Sequence, residues 1–135
     1  MKITILTLIL TLVFGIVEQA NAQTNQQFKL LVNRQKTVTK DKLTVKFISV
    51  TEDSRCPEGT NCIWAGNAKI RIKASKSKGA SKTFELNTNL KPQTVMFEGY
   101  EIKLVNLNPK PATNIRINRN GYTATFVVSK SAKSK

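Results

Sequence analysis

Residues 43–74 read LTVKFISVTEDSRCPEGTNCIWAGNAKIRIKA. Both ends of this stretch alternate. Leu43, Val45 and Phe47 enclose the polar Thr44 and Lys46, and Ala68, Ile70, Ile72 and Ala74 alternate with Lys69, Arg71 and Lys73. Successive strand side chains point to opposite faces, so a period of two marks a strand with one buried and one wet face. The middle of the stretch has no period and gathers Pro57, Gly59, Gly66, both cysteines and the only tryptophan. It reads as two strands joined by an unusual loop.

The same period recurs outward along the chain. Tyr100, Ile102 and Leu104 alternate with Glu101 and Lys103, and Tyr122, Ala124, Phe126 and Val128 alternate with Thr123, Thr125 and Val127. Shorter strand candidates are 28–32, 37–39, 83–86, 94–97 and 115–117. Glu98-Gly99 suits a tight turn before Tyr100, because glycine takes the left-handed backbone that such turns need. Asn120-Gly121 predicts a hairpin between 115–117 and 122–128. The polar run SKSKGAS at 75–81 links two strands, and Pro109 and Pro111 end the strand that starts at Tyr100, since proline cannot donate to a ladder. No repeat and no long amphipathic helix is legible. The expectation is an all-β fold: a single antiparallel β-sandwich, immunoglobulin-like, or a small barrel, of about seven to nine short strands.

The N-terminus has a different character. Met1-Lys2 precedes fifteen apolar residues, ITILTLILTLVFGIV at 3–17, and Ala20-Asn21-Ala22 fits the small-x-small cleavage rule. The apolar run is short of the roughly 20 residues that span a bilayer. The spacing predicts a signal peptide over 1–22, a flexible leader over 23–27, one β-sandwich domain over 28–128 and a basic flexible tail over 129–135. Removing 22 of 135 residues leaves 113, the size of one domain with one core. The product is expected to be monomeric, soluble and exported, either periplasmic or extracellular.

Export decides how Cys56 and Cys62 are read. Only PEGTN separates them, and in an oxidising compartment such a pair is most simply a disulfide. Closing so short a loop stabilises the fold by about 2.4 kcal/mol in the chain-entropy model. The spacing is not C-x-x-C, and nothing nearby favours a reactive thiolate.

The pattern D-S-R-C-P-x-G-x-x-C-x-W-A-G-x-A at 53–68, followed by an alternating basic strand, resembles a family of small, functionally uncharacterised exported bacterial proteins and lipoproteins. FEGYEIKLVNLNPKP at 97–111 is similar to the ending usual in that family. The chain departs from many members in having no lipobox cysteine. The resemblance implies an all-β exported domain and carries no catalytic assignment.

Three physical readings of residues 53–66 stand side by side. The loop can be a structural clasp, with Trp64 covering the disulfide or plugging the sandwich end and Arg55 pairing with Asp53 or Glu52. It can be a recognition element that presents Pro57, Glu58, Thr60, Asn61 and Trp64 to a protein as inhibitor or adaptor, since a cyclised loop loses little entropy on binding. Or Glu52, Asp53 and Glu58 can ligate a cation, although their spacing fits no calcium motif and the chain is strongly basic. We therefore expect no metal and no cofactor.

The chain carries 22 Lys and Arg against 8 Asp and Glu, a net charge of +14. Lys2 and Glu18 cancel within the signal, so cleavage leaves that charge unchanged. Lys69, Arg71, Lys73, Lys76, Lys78 and Lys82 lie in a stretch without a carboxylate between Gly59 and Thr83. That stretch is either a solvated outer face or a patch for polyanions such as lipopolysaccharide or acidic glycans. Specific nucleic-acid binding is disfavoured, because no aromatics interleave with the basic residues.

No familiar catalytic constellation stands out, and only Ser–Lys chemistry stays open, because both residue types are abundant. With no histidine, the serine triad, the cysteine–histidine dyad and the usual zinc sites are excluded. Glu85, Glu98 and Glu101 are scattered, and there is no nucleophile elbow or phosphate loop. The sequence reading is a non-catalytic exported binding domain for anionic envelope or extracellular ligands. Its alternatives are a protein-binding loop module and a purely structural envelope protein.

Overall fold

The computed structural model describes residues 25–39 and 42–131. The expected signal peptide over 1–22, the start of the leader and the last four residues of the tail lie outside the described residues. Eight strands follow in order: β1 (Gln26–Leu31), β2 (Gln35–Thr37), β3 (Thr44–Asp53), β4 (Ala68–Ser75), β5 (Ser81–Asn87), β6 (Thr94–Phe97), β7 (Tyr100–Asn108) and β8 (Thr123–Lys130). Among the described residues there is no helix, and so none long and apolar enough to cross a membrane.

The strands form two antiparallel four-stranded sheets, ordered β1-β8-β7-β6 and β2-β3-β4-β5. They pack face to face as a sandwich and do not close into a barrel. Neighbours within each sheet are consecutive strands, with β1 closing onto β8, so the connectivity is two meanders. It differs in this from the Greek-key order of an immunoglobulin domain.

The alternating residues build the core. Val45 and Phe47 of β3, Ile70 and Ile72 of β4, Ile102 of β7 and Ala124 and Phe126 of β8 are fully buried between the sheets. Phe126 packs on Phe28 at 5.7 Å and edge-on to Phe47 of the opposite sheet at 6.3 Å. Lys36 and Lys82 fall in register with the buried Val45 and Ala74, yet their ammonium groups reach out over Phe28 and Phe84. Core-side lysines on the edge strands β2 and β5 oppose pairing with another chain.

Three expectations need correction. Residues 115–117 form no strand: Ile115 makes only an isolated bridge to Ala112. Asn118–Gly121 do turn, through Gly121 N–H to the Asn118 carbonyl at 2.9 Å, but both edges of β8 are already taken by β1 and β7. A hairpin partner has no ladder left to join. Residues 26–27 of the expected leader and 129–130 of the expected tail belong to β1 and β8. Gln26 pairs with Val128, and Lys130 with Tyr100, so the ladders run past the end of the apolar pattern.

The connections are distributed unevenly. One end of the sandwich carries short turns, including Glu98-Gly99, where both residues have positive φ of 48° and 81°. The other end carries the long segments 54–67, 88–93 and 109–122.

Candidate binding surface at the long-loop end

The segment joining β3 to β4 is pinned at its base. Ser54 N–H donates to the Asn67 carbonyl at 2.7 Å, and Cys56 N–H to the Ala65 carbonyl at 2.9 Å, so the loop begins as an extension of the ladder. Gly66 has φ +76°, and a Cβ there would fall onto the Ser54 carbonyl. Only glycine lets the two sides approach this closely.

A charged clasp fastens this base to the opposite sheet. The Arg55 guanidinium donates through Nε and Nη2 to the two carboxylate oxygens of Asp53, each at 2.8 Å. Its Nη1 reaches the Leu107 carbonyl at 2.7 Å, and Nη2 also reaches the Pro109 carbonyl at 2.9 Å. The Tyr122 hydroxyl donates to Asp53 Oδ2 at 2.9 Å. Three segments distant in sequence are thereby joined by groups only 12% and 13% exposed at Arg55 and Asp53. Burial alone would raise the Asp53 pKa, but the hydrogen bonds from Arg55 and Tyr122 and the Arg55 charge outweigh it and hold the carboxyl below its ordinary value. Burial, followed by the bond to Asp53, pushes the Tyr122 hydroxyl up to about 12.

Beyond the base, Cys56 and Cys62 are joined as a disulfide with their Cα atoms 6.0 Å apart. Glu58 N–H donates to the Pro111 carbonyl at 2.8 Å, and the Thr60 hydroxyl to the Pro57 carbonyl at 2.7 Å. The tip is therefore ordered by main-chain contacts, yet its side chains face water. Ile63 is completely exposed and Trp64 is 53% exposed. The clasp reading of Trp64 is corrected here: the indole neither fills the core nor plugs the sandwich end. Arg55 pairs with Asp53, and Glu52 instead lies 3.9 Å from Lys69.

A second network, with no signature in the sequence pattern, ties the loop to the neighbouring segment 88–93. Asn67 Nδ2 donates to Asn87 Oδ1 at 2.9 Å, and Asn67 Oδ1 accepts from the N–H groups of Asn89 and Leu90, both at 3.0 Å. Asn87 Nδ2 donates to the Pro92 carbonyl at 3.1 Å, and Asn89 Nδ2 to the Gly66 carbonyl at 3.0 Å. Asn67 and Asn87 are buried at 4% and 3% exposure, and the oxygen and nitrogen of each side-chain amide have partners that fix one loop against the other. Asparagines twenty residues apart carry no periodic signal, which is why sequence reasoning passes over them. The result is a groove of about 360 Å³ lined by Trp64, Leu90 and Pro92 together with Glu52, Lys69, Glu85 and Lys91.

The six basic candidates do not form one patch. Lys69, Arg71 and Lys73 share the outer face of β4, but Lys69 lies near Glu52 and Arg71 bonds Glu85 at 3.2 Å. Lys82 belongs to the core side of β5, and Lys76 sits over the Tyr100 ring at 5.2 Å. Lys78 is exposed in the β4–β5 turn. Lys73 has Lys46 as its register partner and Thr83 on its other side, a row without a carboxylate.

The cation reading of Glu52, Asp53 and Glu58 does not assemble. Both Asp53 oxygens are engaged by Arg55 and Tyr122, and among the described residues no group of three or more metal-ligating side chains comes together. No family model matches the chain, and no curated protein or solved structure matches it either.

Proposed function

We propose that this protein is an exported, non-catalytic binding domain whose principal contact surface is the disulfide-closed loop at the long-loop end of the sandwich. The observation that carries this reading is the position of Ile63 and Trp64. They are presented, Ile63 fully and Trp64 half exposed, by a loop whose base is locked by a part-buried ion pair. A loop that served only to stabilise the fold would bury its best core-forming side chain, and this one leaves Trp64 half exposed. A rigid loop with an exposed aromatic loses little entropy on binding and supplies the residue type that dominates contact energies. The disulfide fits an oxidising compartment, which supports export.

A second reading rests on Lys46 and Lys73. Like charges directly opposite on neighbouring strands are unfavourable, and an anion held between them relieves the repulsion. Its affinity would fall steeply with salt.

One experiment separates the two. Mature protein immobilised on beads is incubated with envelope extract at low and high salt. The Ile63→Ala/Trp64→Ala variant is expected to lose its captured material at both salt concentrations. Arg71→Glu/Lys73→Glu is expected to lose only material captured at low salt. Unchanged capture by the loop variant overturns the first reading.

A further inference from the structure

We propose that the groove beside Trp64 binds a saccharide, and that its preferred ligand is a neutral, hydroxyl-rich sugar. The proposal rests on the reading that this end of the molecule is the contact surface, and adds the chemical class of ligand. Three observations carry it.

The first is size. A groove of about 360 Å³ falls in the range of small-molecule sites, roughly 300–1,000 Å³. A globular partner needs about 800 Å² of its own surface in contact, far more than this groove offers. The second is the pairing of surfaces. A pyranose ring has a flat C–H face and a rim of hydroxyls. The half-exposed indole of Trp64 gives a flat apolar platform, extended by Leu90 and Pro92, while Glu52, Glu85, Lys69 and Lys91 place acceptors and donors around it. Glu52 makes only an ion contact of 3.9 Å with Lys69, beyond hydrogen-bond distance, so its oxygens are able to accept from ligand hydroxyls. Glu85 holds Arg71 through Oε1 at 3.2 Å, and Oε2 remains for a ligand. Two carboxylates against two ammonium groups leave the groove formally neutral on a chain of net charge +14, which favours a neutral ligand there. The third observation is preorganisation. The Asn67–Asn87–Asn89 network fixes the Trp64 side of the groove against the Leu90–Pro92 side through hydrogen bonds within the protein itself, so binding has few groups left to order.

Trp64 is the only tryptophan, so emission excited selectively from tryptophan over the two tyrosines reports on this groove. The purified protein is titrated with tetramers of glucose, N-acetylglucosamine and galacturonate at low and high salt. The expected result is a saturable fluorescence change with at least one of the two neutral oligomers, independent of salt. The Glu52→Gln/Glu85→Gln variant should weaken it by at least about tenfold, the loss of one or two charge-assisted hydrogen bonds. No saturable change with any oligomer overturns the proposal. A response to galacturonate alone that vanishes at high salt overturns it too, because that is the signature of surface lysines. The two readings fail separately. If Trp64→Ala abolishes capture from envelope extract while no oligosaccharide alters the fluorescence, the loop remains the contact surface and the saccharide assignment falls. If neither responds, both fall.

Discussion

At the base of the β3–β4 crossover, both carboxylate oxygens of Asp53 and all three guanidinium nitrogens of Arg55 are bonded inside the protein. At its tip, Ile63 and Trp64 stand in solvent. The two regions lie within one short motif and look equally special in the sequence, but they differ in what each residue touches. Changes at the base break contacts to β7 and to the segment that enters β8, whereas the Ile63 and Trp64 side chains at the tip lie outside that network. The base should therefore govern stability and the tip binding, and that division can be attacked directly.

Arg55→Ala is expected to have the largest effect on stability. It leaves the Asp53 carboxylate and two main-chain carbonyls without their donor in a part-buried setting. Removing one partner of such a pair costs about 3 kcal/mol or more, readable as a lower urea midpoint. Gly66→Ala follows, at about 2 kcal/mol, because a Cβ collides with the Ser54 main chain and φ is positive. The Cys56→Ser/Cys62→Ser variant should lose a similar amount, about 2 kcal/mol, through the unfolded state. Its base contacts should survive, which chemical shifts near Tyr122 would report. If the cystine variant fell as far as Arg55→Ala, the division between base and tip would fail. Trp64→Ala should be the mildest, within about 0.5 kcal/mol, as for an exposed position that contacts little.

Acid and base sharpen the same contrast. The Asp53 pKa is lowered on folding, so its stabilisation is present above the ordinary value of 3.8 and is lost as pH falls through the lower folded value. The Tyr122 pKa is raised from 10.0 to about 12, so its contribution is present below 10.0 and is lost as pH rises toward about 12. Unfolding free energies measured across pH should therefore decline on both sides. In Tyr122→Phe the alkaline decline should shrink, whereas Trp64→Ala should leave both limbs unchanged.

Much of the fold is legible in the alternation. Val45, Phe47, Ile70, Ile72, Ile102 and Phe126 are core because every second residue of a half-buried strand must be. The short loop cystine is legible from two cysteines with only five residues between them. Residues 115–117 mislead because pattern reports what a segment could pair with, not whether a partner's edge is free. Trp64 misleads for a related reason. Hydrophobicity says that burial is favourable, but the indole lies in an open groove beside Leu90 and Pro92 and stays half exposed. The groove itself is the least legible part, since it is set by side-chain amides of Asn67, Asn87 and Asn89 whose alignment exists only after the two loops fold together.

The most direct test of the account is acrylamide quenching of the single tryptophan in the native protein, referred to the same protein unfolded in urea. A half-exposed Trp64 predicts a native quenching constant that remains a large part of that of the unfolded chain, with an unfolding transition still intact by circular dichroism. A native constant only a small fraction of the unfolded one would place Trp64 inside the protein and contradict the division between a locked base and a presented tip.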